Sequence, residues 1–182
     1  MTAERARVDD AASPPAPASP GTRIRACLVV LGGEPFAIDV LCLREVMIVD
    51  KLTRLPRAPA FVRGVANLRG EVLAILDVAP VLGLPACGVG PGTRALVLEP
   101  ASRQVAIAVD EILGLETFDE LRPHDDAVRL DQPAFGVGWL DRQGRLVTLL
   151  DVPSIVQALK LRSRATGSRA SARRDGTEGE SR

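Results

Sequence analysis

Apolar positions in this chain fall in short runs, broken at brief intervals by glycine, proline and charge. RACLVVLGGEPFAIDV holds two such runs around Gly32-Gly33, the signature of a β-hairpin. LCLREVMIVD follows and is ambiguous between a helical turn and a strand. FVRGVANL and EVLAILDV come next, then TRALVLEP and QVAIAVDEI, and finally FGVGWL and RLVTLLDV. Turn residues separate them at Gly83-Leu84-Pro85, Glu99-Pro100 and Arg142-Gln143-Gly144. Many short strands with regular punctuation predict small closed barrels or a sandwich.

Between FVRGVANL and EVLAIL lies the tetrad Asn67, Leu68, Arg69, Gly70, which predicts a tight antiparallel connection. Gly70 can adopt φ > 0 without steric cost, so Arg69 sits on a short, stiff turn. A guanidinium held this way suits recognition of a partner, although a plain solvated turn arginine fits the local sequence too. GEVLAILDV (70–78) and GRLVTLLDV (144–152) align without a gap, and upstream GVANL (64–68) parallels GVGWL (136–140). Each copy ends on an aspartate in an N-cap position, Asp77 or Asp151, with Pro80 or Pro153 in the turn that follows. The first predicts a short turn stopped at Gly83. The second predicts an amphipathic helix with Val152, Ile155, Val156 and Leu159 on one face. Two related β lobes are the expected architecture, with chance similarity in a Val/Leu-rich chain as the alternative.

Composition narrows the class. The chain has 182 residues, 46% of them hydrophobic and 3% aromatic, with no Tyr, so its core is Val, Leu, Ile and Ala. Lys+Arg and Asp+Glu each number 23, which argues against a nucleic-acid footprint of excess positive charge and stacking aromatics. Residues 1–22 end in ASPPAPASPG and are expected to be a disordered Pro/Ala-rich tail, and residues 163–182 a disordered charged one. The folded unit is expected at 23–162. Cys27, Cys42 and Cys87 share no CxxC spacing and have mostly aliphatic neighbours, as buried free thiols in a reducing compartment would. No apolar run reaches membrane-span length and the N-terminus has no apolar signal region, so a cytoplasmic protein without direct membrane insertion is expected.

A catalytic constellation cannot be assembled. His124 is the only histidine and lies in LRPHDD beside Asp125 and Asp126, with no second histidine or paired cysteine to complete a metal site. Ser102 and Ser154 have no GxSxG context, and Gly88-Val89-Gly90 matches neither a Walker loop nor a dinucleotide fingerprint. A binding protein without metal or cofactor is the expectation. Glu45 is its sharpest candidate: a carboxylate flanked by apolar residues needs a cationic partner, either Arg63 or Arg69 within the chain or an arginine of another protein.

These segments converge on a known family. FAIDVLCLREVM, LTRLPRAPAFVRGVANLRGEVLAILDV, VAIAVDEI and GRLVTLLDV, in that order, resemble the CheW-type chemotaxis coupling proteins from about Arg23 to Leu161. The most specific stretch is P-x-A-P-A-F-V-R-G-V-x-N-L-R-G. The resemblance implies a mainly β fold of two small SH3-like five-stranded barrel lobes with a C-terminal α-helix. It implies a non-enzymatic adaptor joining the cytoplasmic hairpin tips of chemoreceptors, the methyl-accepting chemotaxis proteins, to the regulatory domain of the histidine kinase CheA in membrane-associated arrays. By position it places Leu43, Glu45, Val46, Gly64, Asn67, Arg69 and Gly70 in or beside a receptor-binding groove, with Val105, Ala106 and Val109 on its other side. Glu45 and Arg63 also fall near surfaces used towards the kinase. Ala66, where Ile or Thr is frequent, and Val78-Ala79-Pro80, where a basic residue is frequent, depart from the family pattern. The tails leave no room for a kinase's further domains or for the receiver domain of the CheV type. A chemosensory-like pathway controlling pili, gliding or second messengers is the alternative within the class, and a small-barrel nucleic-acid binder the distant one.

Overall fold

In the computed structural model, described over residues 23–99, 104–123 and 135–172, the Gly32-Gly33 pair closes a hairpin. Strands β1 (Ile24–Leu31) and β2 (Glu34–Asp39) pair antiparallel across it. Gly32 takes φ 58° and Gly33 φ 87°, conformations glycine enters freely. LCLREVMIVD then resolves its ambiguity by being both elements. A 3₁₀ turn at Val40–Cys42, with Asp39 accepting from the Leu41 amide at 2.8 Å, leads into strand β3 (Leu43–Ile48).

Strands β4 (Val62–Leu68) and β5 (Glu71–Leu76) form the hairpin that carries Arg69. A 3₁₀ turn at Ala79–Leu82 follows and stops at Gly83, whose φ is 80°. Then come β6 (Arg94–Leu98), β7 (Val105–Val109), β8 (Glu111–Phe118), β9 (Arg122–Pro123), β10 (Gly136–Arg142) and β11 (Arg145–Leu150). Helix α1 (Val152–Ala172) ends the described chain.

The strands make two sheets, in the orders β3-β6-β7-β5-β4 and β8-β1-β2-β11-β10-β9. The expected two-lobe β architecture is therefore present, with one feature that a linear pattern could not reveal. One lobe is contiguous, from β3 to β7. The other is split: β1 and β2 start it, and β8 to β11 complete it after the contiguous lobe has been built.

The internal repeat is real and longer than GEVLAILDV. Residues 61–78 and 135–152 superpose in sequence without a gap, pairing Phe61 with Phe135, Gly64 with Gly138, Asn67 with Asp141 and Gly70 with Gly144. The expected match of 64–68 with 136–140 is thus shifted by two residues, because Gly136-Val137 imitates Gly64-Val65 while Gly138 is its true counterpart. Hydrogen bonds settle the register. The Asp77 amide donates to Phe61 O and the Asp151 amide to Phe135 O, both at 2.8 Å. Asn67 Oδ1 accepts from the Gly70 amide at 2.8 Å, and Asp141 Oδ1 from the Gly144 amide at 2.7 Å. Arg69 and Gln143 both adopt left-handed backbone, φ 52° and 54°.

The capping aspartates diverge. Asp151 caps α1 as expected, accepting from the Ser154 amide at 3.0 Å and from its hydroxyl at 2.6 Å. Asp77 does not occupy the cap position, which is Val78; it is buried, and accepts from the amides of Ala79 at 3.2 Å and Cys87 at 3.1 Å. Burial raises its pKa, against the opposing pull of the two amides and the Arg63 charge. The folded protein therefore holds a proton at Asp77 where the unfolded chain has lost it. Stability should fall as pH climbs from the usual 3.8 through the raised value, then level off. The expected result is that the unfolding free energy of wild type minus that of Asp77→Asn declines over this window in urea titrations. A difference that stays constant with pH would remove Asp77 as its source.

Three clusters make the core. The central one joins both sheets to α1: Val152, Ile155, Val156 and Leu159 pack with Val29 and Leu31 of β1, Leu96 and Leu98 of β6, and Ile107 and Val109 of β7. At about 1.5–3 kcal/mol for each fully buried aliphatic side chain, this seam holds the lobes and the helix as one unit. A second cluster fills the contiguous lobe (Met47, Ile75, Val97, Ala106), and a third fills the split lobe (Leu28, Ala37, Leu140, Leu149). Cys27 and Cys87 are buried and Cys42 is half-buried, all three as free thiols.

Residues 1–22, expected to be a disordered tail, lie outside the described residues, as do His124, Asp125, Asp126 and Ser102. Helix α1 runs past 163 to Ala172, and residues 173–182 of the expected charged tail also lie outside the described residues.

Candidate functional site

Strand β3 is an edge of the contiguous lobe's sheet, and its pairing with β6 is irregular. Leu43 lies opposite Leu98, while Glu45 lies opposite Val97, so Arg44 is an extra residue on the β3 side. Such a bulge re-aims side chains. Arg44 points outward to pair with Glu99, and beyond it Val46 and Ile48 face solvent while Met47 enters the barrel.

Glu45 finds its partner inside the chain. Arg69 Nη2 lies 2.8 Å from Glu45 Oε2, with the arginine side chain 79% exposed and the glutamate 26%. Of the two arginines that the sequence offered, Arg69 is the one that pairs. The hairpin turn explains the reach: with Arg69 and Gly70 both at positive φ, the β4–β5 hairpin closes in two residues and presents the guanidinium towards β3. An exposed pair of this kind contributes about 0–1 kcal/mol, so Arg69 can exchange Glu45 for a partner's carboxylate at little cost to the fold.

Beside this pair the surface is apolar. Val46 is 48% exposed, Ile48 59% and Val72, at the start of β5, 69%. Ile48 and Val72 were missed by sequence reasoning. Their signal was present: β-branched residues on the outward phase of an alternating strand, where polar residues normally stand. The split lobe repeats the arrangement, with Leu146 of β11 in the position of Val72 and exposed to 50%, and Leu115 of β8 exposed to 59%.

The other expected site residues scatter. Leu43 is half-buried against the central core. Gly64 is buried, and a Cβ there would lie 2.6 Å from Thr53 O, which makes it a packing residue. Gly70 and Asn67 build the turn itself, and the Asx bond they share recurs in the split lobe. Asn67 thus belongs to the common architecture, and the turn's individual feature is Arg69. Val105 is half-buried, while Ala106 and Val109 are buried in the two clusters on either face of β7. β7 is flanked by β6 and β5, and the side chains of Ala106 and Val109 are part of the core. Arg63 is half-buried and makes no ion pair with Glu45; its charge acts on Asp77. Among the described residues no helix is long and apolar enough to cross a membrane.

Comparison with known proteins places this geometry. The family model described as the CheW-like domain matches residues 25–160. The chemotaxis protein CheW of Rhizobium meliloti is 31% identical over 127 residues, which are 69% of this chain and 82% of that protein. Protein FrzA of Myxococcus xanthus is 32% identical over 122 residues, 65% of this chain and 76% of its own length. Among solved structures, the scaffolding protein TtCheW from Thermoanaerobacter tengcongensis shares the fold, with a TM-score of 0.63 at 21% identity, over 75% of this chain and 92% of that one.

Proposed function

This chain belongs to the family of CheW-like domains, and from that premise we propose that it is a non-enzymatic adaptor coupling chemoreceptor tips to the regulatory domain of the kinase CheA. The observation that carries the reading is the exposure of Val46 and Ile48 on β3 and of Val72 on β5, close in sequence to the two members of the Glu45–Arg69 pair. A chain in water gains little by exposing β-branched residues on an edge strand, and such a strip invites a partner. With Ala106 and Val109 in the core, the face is one strand wall and lacks a second wall. That shape suits a β-barrel surface of the kinase better than a helical hairpin, which lays its apolar side into a groove. We assign this face to the kinase domain, with the receptor tip held elsewhere on the chain. Two modest contacts then suffice, because an array multiplies them.

Arg69→Glu tests this assignment. The substitution sets a like charge against Glu45 on an exposed turn, so the fold survives while the face turns acidic. The expected outcome in pull-downs is loss of the kinase regulatory domain with the receptor hairpin retained. Unchanged kinase capture by a folded variant would overturn the assignment. The similarity to FrzA favours one second reading, an adaptor in a chemosensory-like pathway with another output.

A further inference from the structure

The loop between β3 and β4 carries a cleft whose lining shares no residue with the Glu45–Arg69 pair or with Val46, Ile48 and Val72. It encloses about 190 Å³ on the contiguous lobe and is lined by Arg54, Leu55, Pro59, Val62, Arg63 and Val89. No acidic residue lines it. Arg54 and Arg57 make no hydrogen bond or ion pair among the described residues, in contrast to Arg23, Arg44, Arg69, Arg122 and Arg142. Arg63 is half-buried and senses the Asp77 charge, but both Asp77 oxygens already accept backbone amides. Among the described residues no acceptor is recorded for its N–H donors.

The loop is built to hold these guanidiniums. Arg57 sits at φ 62°, an uncommon conformation for a residue with a side chain, as the second central residue, after Pro56, of a tight turn in which the Ala58 amide donates to Leu55 O at 3.4 Å. The Val62 amide donates to Pro59 O at 2.9 Å, and Pro56 and Pro59 have no amide hydrogen. An anion here would be held by arginine forks above an apolar floor of proline and valine. A planar guanidinium matches a carboxylate with two parallel hydrogen bonds, and the apolar floor suits the side chains of a peptide segment better than a bare phosphate.

We propose that the Arg54–Arg63 cleft is a second binding site, taking an acidic peptide segment with a carboxylate on the arginines and an apolar side chain beside Leu55 and Val89. Leu55, 45% exposed at the rim, supplies the apolar half of that recognition. The site is independent of the β3 face and of which partner binds there.

The full chain is titrated with a fluorescein-labelled peptide of alternating Leu and Glu, followed by anisotropy, with Gln-for-Glu and phosphoserine-for-Glu peptides as comparison arms. Saturable binding of the Glu peptide, its loss in the Gln peptide and weakening with added salt are expected. Arg54→Ala, on an exposed side chain with no partner among the described residues, weakens binding several-fold, and with Arg63→Gln the loss reaches about tenfold. Arg145→Ala, on the split lobe, leaves it unchanged. Equal losses from Arg145→Ala and Arg54→Ala, an Arg54→Ala variant that binds like wild type, or tighter binding of the phosphoserine peptide would each overturn the proposal.

Discussion

Gly138→Ala lowers the stability of this protein by about 2–3 kcal/mol, and Gly64→Ala by about 1 kcal/mol more. At Gly138 an added Cβ would lie 2.5 Å from Arg122 O and 2.9 Å from Leu121 Cδ1. At Gly64 the obstacle is Thr53 O at 2.6 Å, and the backbone is also held at φ 155°, which a side chain disfavours. Backbone oxygens cannot step aside as a flexible side chain would. Both glycines stand where the hairpin register shifts, between Val62 and Gly64 and between Gly136 and Gly138, so a displaced strand disturbs a whole barrel edge. Gly90, where an added Cβ would meet nothing within 4 Å, accepts alanine as the neutral comparison. Urea unfolding of the three variants decides the matter; midpoints for Gly64→Ala and Gly138→Ala equal to that of Gly90→Ala would refute the steric account. Gly64 then affects partner binding only through the fold.

Val46→Asp combined with Val72→Asp abolishes binding to the kinase regulatory domain while leaving the thermal unfolding of the isolated protein nearly unchanged. Both side chains are largely in water in the free protein, 48% and 69% exposed, so carboxylates there cost little. In a docked interface the same carboxylates lose water and add negative charge beside Glu45. A loss of about a hundredfold or more in affinity is expected by isothermal titration, the size seen when the centre of an interface is broken. Leu161→Asp, on α1 and 59% exposed, serves as the comparison and retains full affinity. Equal affinity of the double variant and wild type would remove the strip from the interface.

The Glu45–Arg69 pair shows how much of the site could be read in advance. A glutamate among apolar residues announces that it needs a cation, and two arginines were within plausible reach. Which one supplies it depends on the fold. Arg69 is presented by a two-residue turn, whereas Arg63 lies on β4 near Asp77. Val46 was legible as exposed once β3 was taken as a strand, but Ile48 and Val72 needed the edge position and hairpin register to be known. Ala106 and Val109 misled for a related reason. VAIAVDEI is equally apolar whether it floors a groove or sits mid-sheet, and the neighbours that decide this are distant in sequence.

Residue order alone was enough for the elements and their local chemistry: alternating strands, the Gly32-Gly33 and Asn67–Gly70 turns, the Asp151 cap, the α1 apolar face and the repeated hairpin. Each depends on backbone preference and on neighbours a few residues away, forces that act whatever the rest of the chain does. It took the assembled fold to split one lobe and complete it after the other, to set Asp77 as a brace for the Cys87 segment, and to cover β7 on both faces. The same assembly chose which arginine meets Glu45. Those outcomes come from pairing between segments far apart along the chain, where many partners satisfy the same hydrophobic pattern and only simultaneous packing of both sheets and the helix selects one.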